Sequence, residues 1–538
     1  MAAEEECVSL SPGELQILNA RLAAVAEEMG AVLRRAAYSP NIKERADCSA
    51  AIFTADGELL AQAEHIPVHL GSMPASVRAA IQADFADLPP GSHVIVNDPY
   101  QGGTHLNDIT LCTPVHKKGE LVAWVANRAH HSDVGGMTPG SIPAAAKEIF
   151  QEGLRIAPLI YSEEIRTLIA VNSRTPHERL GDLDAQLGAN IYGASRLSDF
   201  DHRIFGEILN YGERRMRAAL GRLARGIYEF EDFLDSFGPY PDQRRPVRIK
   251  VVVEIGPGVC RFDFSGCDDQ VAGNTNAPKA VTDSAISFSL RSVVDPTLPR
   301  NGGVMRPVEI VTRPGSVVDA RPPAAAGAGN VEVSQRIADV CLGALAKAAP
   351  DRVGAASQGT MNNVLIGGAG WVYYETIAGG QGARPNKDGA SATHTGMTNT
   401  ENTPIEALER TYPMRIRRYE IRKGSGGAGQ YRGGDGIVRE IEFLEPAVVS
   451  VISERRISAP WGVAGGSSGA PGKNWLVRAR NKSVSDGKLH SHVPVAEHEG
   501  AEELPDKVTV EVEAGDILRI ETPGGGGYGP PPSDPEVR

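Results

Sequence analysis

Two short apolar runs, residues 109–115 and 121–126, flank the turn Lys117-Lys-Gly-Glu120, and a polar cluster lies beyond each. No other stretch constrains the fold as tightly. Both runs are rich in β-branched residues, so they predict a β-hairpin rather than a helix. With the turn centred near Gly119, Asp108 comes opposite His130 and His105 comes close to Asp133. The hairpin then gathers His105, Asp108, His130 and either His131 or Asp133 at its open end, beside Gly102-Gly103 and Gly135-Gly136. Two imidazoles and a carboxylate are borderline-to-hard ligands suited to Zn²⁺, Mn²⁺ or Fe²⁺. Spacing alone leaves a second reading open, in which these histidines sit at a wet strand end and bond to backbone carbonyls.

The chain has 538 residues, which implies two to four domains or one elaborated fold. A net charge of −12 argues against a general nucleic-acid binder, which needs a basic face. No run of 18 apolar residues is present, so no membrane span is expected. The start, Met1-Ala-Ala-Glu-Glu-Glu6, is acidic, the reverse of a secretory signal. Cys7, Cys48, Cys112, Cys260, Cys267 and Cys341 lack metal-site spacing and read as reduced, buried thiols. Together these features predict a cytoplasmic protein.

Along the chain, Ser11-Pro-Gly-Glu14 is a capping box that opens a helix running to about Tyr38. Residues 48–54 and 58–61, joined by Asp56-Gly57, predict a second hairpin, and a short helix follows from about Ser72 to Phe85. Residues 139–192 predict irregular loops around brief helices, and Ser195 to about Phe237 a long helical region broken at Gly221 or Gly226. A strand pair at 247–264, an apolar helix after Asn276 and an amphipathic helix at 331–348 follow. Beyond residue 412 short strands alternate with glycine-rich turns, and Gly524–Gly527 leads into a tail expected to be extended or disordered at its end. The fold class expected is α+β: a mixed N-terminal and central α/β portion carrying the metal-bearing hairpin, then a β-rich C-terminal region. Three parts are expected, 1–240, 241–411 and 412–538.

The segments Asn97-Asp-Pro-Tyr-Gln-Gly-Gly-Thr-His-Leu-Asn-Asp108 and Ala129-His-His-Ser-Asp-Val-Gly-Gly136 resemble the hydantoinase-B/oxoprolinase family. Further matching segments lie at 39–49, 65–71, 273–276, 301–303, 398–406 and 522–529, so the resemblance covers nearly the whole chain. It implies a B-type subunit of an ATP-dependent enzyme such as N-methylhydantoinase, 5-oxoprolinase or a caprolactam-type lactamase. It also implies a separate A-type partner with an actin-like nucleotide fold, which phosphorylates the carbonyl oxygen of a small cyclic amide. The B-type subunit then completes the reaction at a divalent metal, within a hetero-oligomer. In the related ketone carboxylases, ligands matching His105, Asp108 and His130 hold that metal.

The chain carries no Gly-x-x-x-x-Gly-Lys-Ser/Thr loop, in keeping with ATP being used at the partner. Within this frame His131 or Asp133 is expected to orient water or shuttle its proton, and His69 to support the site from outside the ligand shell. Arg45 is the candidate clamp for a phosphate or carboxylate, against an ion pair with Glu44 or Asp47. Asn274 and Asn276 are candidates for binding the substrate amide, against a role in fixing turns. Two alternatives stand beside the cyclic-amide hydrolase: a subunit of an acetone- or acetophenone-type carboxylase, and a structural partner without metal chemistry.

Overall fold

The hairpin lies at the centre of a six-stranded antiparallel sheet in a computed structural model, which describes residues 10–63, 66–69, 71–83, 85, 88–479 and 501–532. His65, Cys7 and the last six residues of the tail, named among the expectations, fall outside these residues. The strands are β1 (Cys48–Thr54), β2 (Leu59–Ala63), β3 (Val94–Val96), β4 (Asp108–Lys117), β5 (Glu120–His130) and β6 (Leu159–Ile160). Their order across the sheet is β2-β1-β5-β4-β3-β6. Lys118 and Gly119 both adopt positive φ, 54° and 86°, as a two-residue turn matched to the strand twist requires. A bulge between Val115 and His116 absorbs one residue, and Asp108 pairs with His130 as the spacing predicts.

Both faces of this sheet are covered, and the two-residue period of β1 shows how. Ala50 and Ile52 pack with Leu22, Val25 and Met29 of the helix Pro12–Ala36, whereas Ala51 and Phe53 pack with Met73 and Val77 of the helix Met73–Gln82. The first helix begins with the expected capping box. Glu14 N donates to Ser11 Oγ at 3.3 Å, and Ser11 N donates to Glu14 Oε2 at 2.8 Å.

Two expectations from periodicity are corrected. A 22-residue helix, Pro176–Leu197, begins within residues 139–192, where only brief helices are expected, and runs past their end. Its buried face carries Arg179, Asp182, Gln186 and Asn190, so an apolar pattern could not betray it. Gln186 Nε2 donates to Ile109 O at 2.9 Å, and Asn190 Nδ2 donates to Leu111 O at 3.0 Å, bonding the helix to the β4 backbone. The long helical region expected over 195–237 ends at Leu220, and Gly226–Leu234 is a strand with alternating burial. Period-two patterning there outweighs the helix-forming residues around it.

Gly226–Leu234 edges a four-stranded sheet with Val247–Gly256, Val259–Asp263 and Val308–Val311. A third sheet places Asn363–Gly368 between Trp371–Thr376 and Ala447–Ile452, with Lys507–Val512 beyond, so it draws strands from both sides of residue 412. The remaining five strands, including Met414–Arg422 and Gly436–Phe443, form the fourth sheet. The glycines at 524–527 are buried between these elements. A Cβ on Gly525 would stand 2.1 Å from Gln381 O, which explains why no side chain is tolerated there.

A layer of buried charge ties the second and third sheets to the helix Ser334–Ala348. Asp232 pairs with Arg336 at 2.9 Å and with Arg455 at 2.7 Å, and Lys507 Nζ lies 2.5 Å from Glu454 and 2.9 Å from Asp506. Removing one member leaves the others charged and unpaired in a medium that solvates them poorly. Lys507→Met is therefore expected to lower the unfolding free energy by about 3–5 kcal/mol in urea melts. A loss below about 1 kcal/mol would show that the layer relaxes or hydrates.

Glu332, next to this layer, accepts from Asn363 Nδ2 at 2.8 Å and Met361 N at 3.2 Å. Burial pushes its carboxyl up to about 8, and the nearby Glu454 charge adds to the rise. The native state thus holds a proton that the unfolded chain releases near its ordinary value. That contribution is complete below about pH 4.5 and is lost as pH rises through 8. Glu332→Gln is expected to flatten the fall in urea midpoint between pH 6 and 9, and parallel profiles for the two proteins would contradict the shift.

Candidate functional site

Register brings the candidate ligands together. Asp108 opens β4 and His130 closes β5 directly opposite, while His105 sits in the turn that feeds β4, where Asp108 N donates to His105 O at 3.1 Å. The neighbouring strand β1 supplies a further group just before its start. His130 N donates to Asp47 O at 3.0 Å, and Asp47 Oδ2 lies 3.8 Å from His130 Nδ1. The sequence offers Asp47 only as an alternative ion-pair partner of Arg45. Its place beside His130 follows from β1 pairing with β5, which the local sequence does not reveal.

The three expected ligand residues are all buried, and one ligand atom from each lies within 4.8 Å of the others. Asp108 Oδ2 stands 3.1 Å from His105 Nδ1 and 3.4 Å from His69 Nε2, and it accepts a hydrogen bond from Thr104 Oγ1. Asp108 Oδ1 lies 3.7 Å from His130 Nδ1 and has no hydrogen-bond partner. His105 Nε2 and His130 Nε2 are likewise buried without partners. Such orphaned atoms are costly unless something occupies the space between them. Three of them on two imidazoles and a carboxylate fit a divalent cation.

The electrostatics agree with that donor set. Burial works to raise Asp108, but His105 and His69 beside it outweigh burial and hold its carboxyl well below the ordinary range. Burial, reinforced by the closeness of His105, pushes His130 well below the usual imidazole value and keeps its lone pair free. Burial raises Asp47, against the pull of the Arg45 charge. Tyr374 lies flat on His130, with ring centroids 4.4 Å apart and planes 5° from parallel, so it fixes the imidazole plane and covers one side.

The remaining candidates divide. His69 joins the site: its Nδ1 is 2.9 Å from Ser49 Oγ, and its Nε2 faces Asp108. His131 turns the other way, with Nε2 2.9 Å from Gln186 Oε1, and burial lowers its imidazole to about 4. Asp133 does not pair with His105. It accepts from Gly140 N at 3.2 Å, Arg174 N at 2.9 Å and Arg174 Nη1 at 2.9 Å, stapling the loop after β5. Arg45 donates to Asn41 Oδ1, Tyr374 O and Thr376 Oγ1, which leaves only Nε without a partner. Asn274 Nδ2 donates to Pro143 O at 2.8 Å, and Asn276 Nδ2 donates to Gly273 O at 2.8 Å and Ala325 O at 2.9 Å, so both fix loops.

One further residue enters from a distance. Asn330 Nδ2 stands 3.1 Å from His105 Nδ1 and 3.4 Å from Asp108 Oδ2. In the sequence it sits just ahead of an amphipathic helix and looks like a cap, so no local signal separates it from many other asparagines.

Among the described residues five cysteines are buried and free of disulfides, and no helix there is long and apolar enough to cross a membrane.

The comparisons with known proteins cover the same ground. The chain is 42% identical over 534 residues to an uncharacterized protein of Methanocaldococcus jannaschii, spanning 96% of this chain and 90% of that one. It is 38% identical over 557 residues to 5-oxoprolinase 1 of Arabidopsis thaliana, covering 96% of this chain but only 42% of that longer protein. Among solved structures, the ATP-dependent caprolactamase from Pseudomonas jessenii superposes with a TM-score of 0.85 at 27% identity, over 98% of this chain and 93% of that one. A nucleotide-free acetone carboxylase gives 0.88 at 19% identity, over 98% and 77%, a likeness of fold alone. The profile of the Hydantoinase B/oxoprolinase family matches residues 11–531, and the chain belongs to that family.

Proposed function

We propose that this chain is the cation-holding component of an ATP-dependent hydrolase of cyclic amides such as hydantoins, 5-oxoproline or lactams. One observation carries the reading: His105, Asp108 and His130 are buried with one ligand atom of each within 4.8 Å of the others, and each also has a buried side-chain atom without a hydrogen-bond partner, in a member of this family. The kinship with a 5-oxoprolinase and an ATP-dependent caprolactamase supports the substrate class. In this proposal a separate A-type subunit with an actin-like nucleotide fold spends the ATP.

The chemistry explains the division of labour. A ring amide is a poor electrophile because nitrogen donates into its carbonyl. Transfer of a phosphoryl group from ATP to the carbonyl oxygen gives an imidate phosphate. Water adds to its ring carbon, and the C–N bond breaks with the nitrogen leaving as the protonated amine. A second water hydrolyses the resulting acyl phosphate to carboxylate and phosphate. A divalent cation held by His105, Asp108 and His130 would supply Lewis-acid stabilisation and lower the pKa of nearby water. His69 fixes Asp108 from the side, Asp47 flanks His130, and Tyr374 sets the His130 ring plane. Asn274, Asn276 and Asp133 are given no substrate contact, because the partners described above take up their functional ends. Arg45 and His131 are given none because their remaining nitrogens are bound to protein groups, with only Arg45 Nε and His131 Nδ1 left without a partner.

Purified protein is expected to retain about one divalent cation per chain after desalting, measured by elemental analysis, and His130→Ala or Asp108→Asn to retain none. Equal metal content in all three would remove the basis of the proposal. Co-expressed with a nucleotide-binding partner, the chain is expected to support ATP consumption coupled to ring opening without bicarbonate. His105→Ala is expected to cut that turnover by more than about a hundredfold. Turnover of ketones that requires bicarbonate would instead make it a carboxylase component. Unchanged ring opening by His105→Ala in the presence of a chelator would leave only a structural role. The isolated chain is expected to hydrolyse no ATP.

A further inference from the structure

The candidate ligands occupy one row of the central sheet, and the next row on the same face is polar as well. In the first row Asp108 pairs with His130, and His130 N donates to Asp47 O at 3.0 Å. Two residues farther into the sheet, Thr110 pairs with Arg128, and Arg128 pairs with Ser49. Side chains alternate along a strand, so a step of two keeps both rows on one face. Ser49 and Arg128 are fully buried.

This second row grips the turn Pro67–His69 in two ways. Arg128 Nη1 donates to Ser72 Oγ, and Ser72 Oγ in turn donates to Val68 O at 3.1 Å and to His69 O at 3.3 Å, which holds the backbone. Ser49 Oγ stands 2.9 Å from His69 Nδ1, which holds the ring. The other ring nitrogen, Nε2, then faces Asp108 Oδ2 at 3.4 Å.

The direction of the Ser49 bond follows from what each group can donate. Among the described residues, His69 Nδ1 is the partner of the Ser49 hydroxyl. If that hydroxyl accepted from an Nδ1–H, its own hydrogen would be buried without an acceptor, which is costly. If it donates, Nδ1 is the lone-pair nitrogen, and a neutral imidazole then carries its hydrogen on Nε2. That nitrogen faces an ionised carboxylate, which can only accept. One tautomer satisfies both ends of the ring.

We infer that Ser49 is a positioning residue of the cation pocket: by donating to Nδ1 it fixes His69 as the Nε2–H tautomer and keeps it out of the ligand set. The inference rests on the reading of His105, Asp108 and His130 as cation-holding. An Nε2 without hydrogen would repel Asp108 Oδ2 and offer its lone pair to a cation instead. With the hydrogen in place, His69 holds Oδ2, and Oδ1 stays free of hydrogen bonds, 3.7 Å from His130 Nδ1. The pocket then has three protein ligands, the number that leaves a position open on a catalytic cation.

The test uses the full-length chain with isotopically labelled histidine, stripped of metal with a chelator. Nitrogen NMR is expected to show His69 with hydrogen on Nε2 and a bare Nδ1, its signals identified by their loss in His69→Gln. Ser49→Ala is expected to spread His69 over both tautomers and to weaken Mn²⁺ binding, read by calorimetry, by about 10–100-fold. A loss of packing alone would not move the tautomer. An imidazolium or an Nδ1–H tautomer in the wild type overturns the inference. So does Ser49→Ala with an unchanged His69 spectrum, or with Mn²⁺ affinity at or above the wild-type value. His105→Ala separates the two levels. If it binds Mn²⁺ as the wild type does, the cation reading itself fails. If it loses the ion while Ser49→Ala keeps it, only the role of Ser49 fails.

Discussion

The carboxylate of Asp108 is the point on which the rest of the site depends. It is fully enclosed, yet it remains ionised because two imidazoles, a threonine hydroxyl and an asparagine amide surround one of its oxygens. Those four groups come from three places in the chain, and each must arrive within about 3.5 Å for a buried charge to be tolerated. The backbone therefore has little freedom here. Strand register fixes His130, the feeding turn fixes His105 and Thr104, a 3-10 turn fixes His69, and a π-type turn, Gly329–Val333, fixes Asn330.

The same principle operates in the shell around the sheet. Where ordinary helices would bury leucine against β4, the helix Pro176–Leu197 buries Gln186 and Asn190 and bonds to strand carbonyls. Its amides also interlock with Asn127, which sits on β5 three residues before His130. Fully satisfied polar contacts of this kind have directional requirements that apolar packing lacks, and they hold a strand in one register. The charged layer of Asp232, Arg336, Arg455, Glu454 and Lys507 does similar work farther out, linking the Asn330 helix to the C-terminal strands. A rigid frame is what holds three buried polar side chains together at one place.

Much of this was legible in the residues. The hairpin, its pairing of Asp108 with His130, the capping box at Ser11 and the change to β-structure after residue 412 all follow from local patterns. Those patterns report on short-range sterics and on alternation between wet and dry faces. They fail where burial is polar, which hid the helix Pro176–Leu197, and where helix-forming residues are placed at a two-residue period, which hid the strand Gly226–Leu234. They do not reveal which polar side chains are held by the protein itself. Asp133, Asn274 and Asn276 have the types and spacing of binding residues, and in the structure each is bonded to protein groups, Asp133 to backbone amides and the Arg174 guanidinium, the two asparagines to backbone carbonyls.

Sequence alone thus determined the hairpin and the three side chains at its open end, because two β-branched runs joined by a two-residue turn pair about that turn and bring the residues beyond their far ends together. Tertiary structure alone decided which other groups join them. Asp47, His69, Asn330 and Tyr374 lie tens to hundreds of residues from His105 along the chain, and only sheet pairing and helix packing bring them within bonding distance. The physical reason is that a buried charge is stabilised by neighbours in space, and a linear pattern carries no record of those neighbours.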